Sequence, residues 1–183
     1  MTGLFARLRS TPLSRVRRLG LAAVAVLGGS FLVCGFVGVR FNCSPSLPVG
    51  LYVTTGDESA NLVEFCPAEP FASLAITRGY RDAGACSDGA APLLKPVVAA
   101  AGDTVQLSAR GISVNGVLLP NTAPLAKDTK LRPLQAWPFG RYVVNSGTVW
   151  VASSHHPRSF DSRYFGPISI SAIRHRVKPF LTL

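Results

Sequence analysis

The sequence predicts a mostly β, antiparallel domain carried on one N-terminal transmembrane helix. Three observations predict it. Residues 19–39 run for 21 positions without a charge, between Arg18 and Arg40. Beyond them, short apolar segments alternate and are separated by turn-forming pairs. The 17 glycines and 14 prolines put many turns into 183 residues and argue against a helical bundle.

The uncharged run comes first. As a helix it spans roughly 31 Å, close to the ~30 Å hydrocarbon core of a bilayer. Gly28 and Gly29 would weaken a helix in water but are tolerated in a membrane. A cleaved signal peptide fits less well. The triplet Ala23-Val24-Ala25 comes too early for a cleavage site, and the run exceeds the usual ~7–15 residues. A lipid-carrying Cys34 is disfavoured by the bulky Val33 before it. The net charge is +10, and residues 1–40 supply six arginines and no acid. A basic balance can mark nucleic-acid binding. Here more than half of it lies beside an apolar helix, where arginines set topology. Residues 1–18 are therefore expected as a basic cytoplasmic N-terminus, 19–39 as the anchor, and 40–183 as an extracytoplasmic domain. That domain would face the periplasm from a bacterial inner membrane, and no nucleic acid partner is expected. With 48% hydrophobic and 15% charged residues, global disorder is excluded.

The β elements follow in order. Leu51-Tyr52-Val53 and Leu62-Val63-Glu64-Phe65 are strand candidates. Lys95 to Ala101 is an apolar run closed by the turn pair Gly102-Asp103. Thr104-Val105-Gln106-Leu107 alternates. Asn115-Gly116, between Ile112-Ser113-Val114 and Val117-Leu118-Leu119, predicts a type I′ hairpin, because Asn-Gly accepts positive φ at both central positions. Arg141–Val144 and Thr148–Ala152 flank Asn145-Ser146-Gly147 and predict a second hairpin. Residues 66–92 and 120–139 read as loops. Cys66 and Cys86 enclose 19 residues of the first loop, so a bridge there is expected in an oxidising compartment, worth ~3 kcal/mol by loop closure. Cys34 and Cys43 are expected unpaired. His155-His156 has no ligand spacing, so no metal is expected.

Three segments exceed what a fold needs. Asn42-Cys43-Ser44-Pro45-Ser46-Leu47-Pro48-Val49-Gly50-Leu51-Tyr52 follows the anchor, and composition alone reads it as a linker. Leu93-Leu94-Lys95-Pro96-Val97-Val98 places a lysine in an apolar strand; the bland reading is a strand-end lysine whose ammonium reaches water. Ser159-Phe160-Asp161-Ser162-Arg163-Tyr164-Phe165-Gly166-Pro167 reads by itself as a polar turn with an Asp–Arg pair. In this order and spacing, with Ala101-Gly102-Asp103 and the Val114–Val117 hairpin, the segments resemble the conjugative-transfer signal peptidases of TraF type. These belong to the type I signal peptidase clan of membrane-anchored serine proteases with a Ser–Lys dyad.

The resemblance implies a signal-peptidase-like β domain, Ser46 as nucleophile and Lys95 as general base. It implies Ser44 as an oxyanion donor and Ser159 as the serine that holds the lysine amine. Asp161 and Arg163 match the charged pair of the last motif, with the aspartate either catalytic or structural. Pro45 and Pro96 depart from the housekeeping enzymes and favour the conjugative branch. The implied substrate is a membrane-associated precursor, a conjugative pilin. Water would release it linear and its own amine would cyclise it. A general signal peptidase and a non-catalytic bitopic assembly protein are the alternatives. No cofactor is expected. A serine hydroxyl needs a base within hydrogen-bond reach, and a lysine serves only when neutral. Moving its pKa from ~10.4 to ~7–8 requires burial worth ~3–5 kcal/mol. The apolar flank of Lys95 offers such burial.

Overall fold

The computed structural model describes residues 16–22 and 38–183. The chain divides into two compact units, Met1–Val39 and Arg40–Leu183. In the first, residues 16–22 are helical. Among the described residues no helix is long and apolar enough to cross a membrane. Most of the expected anchor, 19–39, lies outside the described residues, as does Cys34.

The larger unit is β-rich. A seven-stranded sheet takes the order β1 (Val39–Asn42), β2 (Gly50–Thr55), β11 (Ile173–Thr182), β3 (Leu62–Phe65), β4 (Leu93–Ala99), β9 (Thr148–Val151) and β10 (Ile168–Ser169). Pairing is antiparallel from β2 across to β10. A four-stranded antiparallel sheet takes the order β7 (Val117–Leu118), β6 (Gly111–Val114), β5 (Thr104–Ser108) and β8 (Gly140–Val143). The β6–β7 turn places Asn115 at φ 50° and Gly116 at φ 87°, as a type I′ turn requires.

Successive side chains on a strand face opposite ways, and β9 shows the consequence. Val149 and Val151 enter a core with Val63, Phe65, Phe160 and Phe165. Trp150, between them, enters a second core with Val105, Leu107 and Ile112. Leu47, Tyr52 and Val177 form a third, smaller core beside the loop that follows β1.

Two expectations are corrected. Arg141–Val144 and Thr148–Ala152 are not a hairpin: β8 pairs with β5, and β9 pairs with β4 and β10 in the other sheet. β9 buries both faces and so takes an interior place. β8 leaves Arg141 and Val143 exposed and forms an edge. Residues 66–92 are not all loop, because α1 spans Phe71–Thr77. Ala72 and Ala75 form its buried face. Gly79, at φ 70°, closes it: its N–H meets the Ile76 carbonyl at 2.9 Å and the Tyr80 N–H meets the Ala75 carbonyl at 2.8 Å. That is a Schellman ending, which favours glycine at this conformation. Cys66 and Cys86 are joined by a disulfide that ties this segment to the end of β3, with 5.9 Å between their Cα atoms.

Candidate active site

The loop 43–49 between β1 and β2 is held carbonyl by carbonyl. Asn42, buried, directs its Nδ2 hydrogens at the carbonyls of Ser44 (2.9 Å), Pro48 (3.1 Å) and Leu47 (3.2 Å), and its Oδ1 accepts the Ser44 N–H at 3.1 Å. The Tyr52 hydroxyl donates to the Pro48 carbonyl at 2.7 Å, and burial pushes its pKa up. Leu47 packs into the third core. Adjacent Ser46 is thereby fixed with only 4% of its surface exposed.

Lys95 is the third residue of β4, in register with Val63 of β3. It shares a strand face with Leu93 and Val97, which both pack in the largest core. The strand-end reading with an ammonium in water is thus overturned: Lys95 is 4% exposed. Its Nζ lies 2.6 Å from Ser46 Oγ. Burial is the dominant influence and lowers its pKa from 10.5 to about 8, with Asp161 opposing and Arg163 assisting.

Ser44 Oγ lies 2.8 Å from Ser46 Oγ and accepts the Ser46 N–H at 3.3 Å. The Ser44 hydroxyl, expected as an oxyanion donor, is therefore beside the nucleophile and in this state is occupied by the Ser46 amide.

Ser159 departs from expectation. Its hydroxyl is buried and has no hydrogen-bond partner among the described residues, so it does not hold the Lys95 amine. Asp161 and Arg163 form a fully buried pair, with Nε to Oδ1 at 2.8 Å and Nη2 to Oδ2 at 3.0 Å. Asp161 Oδ1 also accepts the Arg163 N–H at 3.2 Å and so caps α2 (Ser162–Phe165). Neither residue hydrogen-bonds Ser46 or Lys95 directly. Asp161 Oδ2 also accepts the Ser153 N–H at 3.1 Å, and the Ser153 hydroxyl donates to the Ser46 carbonyl. Ser153 escaped the sequence reading because Val-Ala-Ser-Ser after a strand carries no chemical signature.

Ser44, Ser46, Lys95 and Ser159 line one cleft of about 740 Å³, which continues past Leu125 and Phe160. Cys43, exposed beside the site, is a free thiol. Among the described residues no group of three His, Cys, Asp or Glu side chains could hold a metal ion. The arrangement is a hydroxyl touching a buried amine of reduced basicity, at the floor of an open cleft.

The model of the family "Signal peptidase, peptidase S26" matches residues 14–181. A plasmid transfer protein TraF of Escherichia coli is 37% identical over 89% of this chain and 91% of its own length. A second TraF of that species is 36% identical over 93% and 99%. A probable conjugal transfer protein TraF of Sinorhizobium fredii is 37% identical over 90% and 88%. Among solved structures, a signal peptidase I of Enterococcus faecalis aligns at TM-score 0.37 and 15% identity, over 68% of this chain and 99% of that one, too loosely to argue from. Matched by one family model from end to end of the β domain, and by TraF relatives along about nine-tenths of its length, this chain belongs to the peptidase S26 signal peptidases and sits among their TraF members.

Proposed function

We propose that this protein is a membrane-anchored serine endopeptidase whose Ser46 and Lys95 form the catalytic dyad. Its substrate is a membrane-associated precursor, the pilin of a conjugation apparatus, cleaved on the periplasmic side of the inner membrane. One observation carries the chemistry: Lys95 Nζ lies 2.6 Å from Ser46 Oγ, both groups buried. The relatives' description as plasmid and conjugal transfer proteins supports the biological setting.

The neutral amine takes the Ser46 proton as Oγ bonds to the scissile carbonyl carbon. The carbonyl π electrons move to oxygen. The Ser44 hydroxyl rotates away from the Ser46 N–H, and both then donate to that oxyanion; one such donor is typically worth ~10²–10³ in rate. Pro45 has no N–H and adds none. Collapse breaks the C–N bond, and the Lys95 ammonium protonates the leaving amine. Water, or the substrate's own amine, then attacks the ester with Lys95 again as base, and Ser46 recovers its proton. An extended substrate can reach Ser46 along the cleft as an added strand. Ser46 lies seven residues beyond Val39, a reach of at most ~25 Å, so the nucleophile of an anchored chain stays near the bilayer surface.

The test is precursor processing in cells that express Ser46→Ala or Lys95→Ala. Both variants are expected to leave the precursor at full length. Normal maturation by either one would remove the dyad.

A further inference from the structure

We propose that Ser153 is a positioning residue for the nucleophile, transmitting the fixed geometry of the Asp161–Arg163 pair to the backbone of Ser46. The inference rests on the peptidase reading above and gives that pair a role in it.

Ser153 is fully buried and lies two residues beyond β9. There the chain runs beside the strand that carries Lys95, with the Ala152 N–H meeting the Pro96 carbonyl at 3.0 Å. Every polar group of Ser153 is used. Its N–H donates to Asp161 Oδ2 at 3.1 Å, and its carbonyl accepts from Arg163 Nη2 at 2.9 Å. Its Oγ accepts the His155 N–H at 3.1 Å. These three bonds stay within residues 153–163 and hold the serine immobile. The fourth leaves that segment: the hydroxyl proton goes to the Ser46 carbonyl, 107 residues away in sequence.

That bond has a distinct place in the site. Asn42 and Tyr52 pin the carbonyls of Ser44, Leu47 and Pro48 from within residues 42–52. Among the described residues, hydrogen bonds reach Ser46 from outside that stretch only from Lys95 and Ser153. Lys95 gains and loses a proton during the reaction, so its bond changes character at each step. The Ser153 bond involves no titrating group. It fixes the Ser46 peptide plane, and with it the direction of Oγ toward the amine. Arg163 is held in turn by the carbonyls of Asn121 (3.0 Å) and Pro157 (2.9 Å), so the chain of contacts ends in the body of the domain. Asp161 and Arg163 thus act through Ser153, without touching the reacting atoms.

The experiment uses the full-length protein in detergent micelles and a serine-reactive penem as the probe. Saturation kinetics between pH 6 and pH 10 separate the acylation rate from probe affinity. Ser153→Ala is expected to acylate ~10- to 100-fold more slowly, since a misplacement of about 1 Å costs up to ~10²-fold. Probe affinity should stay within about twofold, and the ascending limb near pH 8 should stay in place because Lys95 remains buried. Ser153→Thr, which restores the hydroxyl, should recover most of the rate. Acylation by Ser153→Ala within twofold of wild type would overturn the inference. So would a slow variant whose limb moves up toward free lysine, because that reports a loosened, hydrated site. Acylation of the parallel Ser46→Ala control would instead overturn the peptidase reading itself.

Discussion

Replacing Lys95 by methionine should abolish activity and make the protein more stable at neutral pH. The side chain sits at a core position between Leu93 and Val97, and burial brings its pKa from 10.5 to about 8. At ~1.4 kcal/mol per pH unit, the folded state bears about 3 kcal/mol for the charged amine at neutral pH. The direction with pH follows from proton counts. Below about pH 8 the amine is charged in both folded and unfolded chains, and the full burial cost is present. Between about 8 and 10.5 the unfolded chain keeps a proton that the folded chain has released, so stability rises with pH. Above that range both are neutral and the cost is gone. Methionine keeps an unbranched side chain of similar length and removes the charge. The substitution also loses the 2.6 Å bond to Ser46, worth ~1 kcal/mol net. A gain of ~2 kcal/mol at pH 7 remains, or roughly 5 °C in thermal midpoint for a domain of this size. The assay is unfolding of wild-type and Lys95→Met protein in the same micelles, followed by near-UV circular dichroism at pH 7 and at pH 10.5. The gap should be largest at pH 7 and should close or reverse at the higher pH. A variant less stable than wild type at pH 7, or a gap that does not move with pH, would refute the claim that a charge is buried at this position.

Acylation by a serine-reactive probe should rise with pH through about 8, as the buried lysine loses its proton; a rate flat from pH 6 to pH 9 would count against Lys95 as the base. Asp161→Asn should move that limb to lower pH, because the carboxylate raises the Lys95 pKa and its loss leaves Arg163 buried without a counter-charge. The same variant should lose ~3–5 kcal/mol of stability, measured by denaturant unfolding, and a limb displaced upward would contradict the assignment. Gly50→Ala should destabilise by more than ~1 kcal/mol, since φ there is 152° and a Cβ would run into the Leu181 carbonyl across the β2–β11 pair. The double variant Cys66→Ser/Cys86→Ser should lose ~3 kcal/mol in the same measurement while keeping its acylation rate, because the bridge staples the segment around α1 and does not touch the dyad.

Much of the β domain was legible because period-two alternation and turn chemistry are local. Val105 and Leu107 point inward with Gln106 outward, and Asn115-Gly116 closes its hairpin, all from adjacent residues. The second expected hairpin failed for a related reason. Asn145-Ser146-Gly147 does reverse the chain, but a turn does not decide which sheet each arm joins. Val149, Trp150 and Val151 are apolar on both faces, and each face enters a core of its own, Val149 and Val151 one and Trp150 the other. Arg141 and Tyr142 alternate and suit an edge beside β5. The missed α1 has only seven residues, so Phe71, Ala72, Leu74 and Ala75, which face the core, repeat too briefly for a helical period to stand out. Gly79 after Ala75-Ile76-Thr77-Arg78 was the available sign.

The site divides along a different line. Lys95 is conspicuous in Leu93-Leu94-Lys95-Pro96-Val97-Val98 because an amine there costs stability and, among the described residues, makes no ion pair in return. Only a chemical use offsets such a cost, so the residue type itself carries information. Ser153 costs nothing visible. A serine after a strand is ordinary, and its value lies in a carbonyl 107 positions away that only folding brings near. Ser159 shows the converse: its motif position assigned it to the lysine amine, yet its buried hydroxyl is unpaired among the described residues. Leaving a buried hydroxyl unpaired costs ~1–3 kcal/mol, and the Ser44 hydroxyl is meanwhile occupied by the amide of Ser46. Both groups line the cleft. A polar group of a bound substrate that satisfies Ser159 gains more than the same contact would at the exposed and already paired Ser44, because it relieves a cost already present in the free protein. Binding energy placed at the Ser159 hydroxyl speeds the reaction to the extent that the contact strengthens in the transition state.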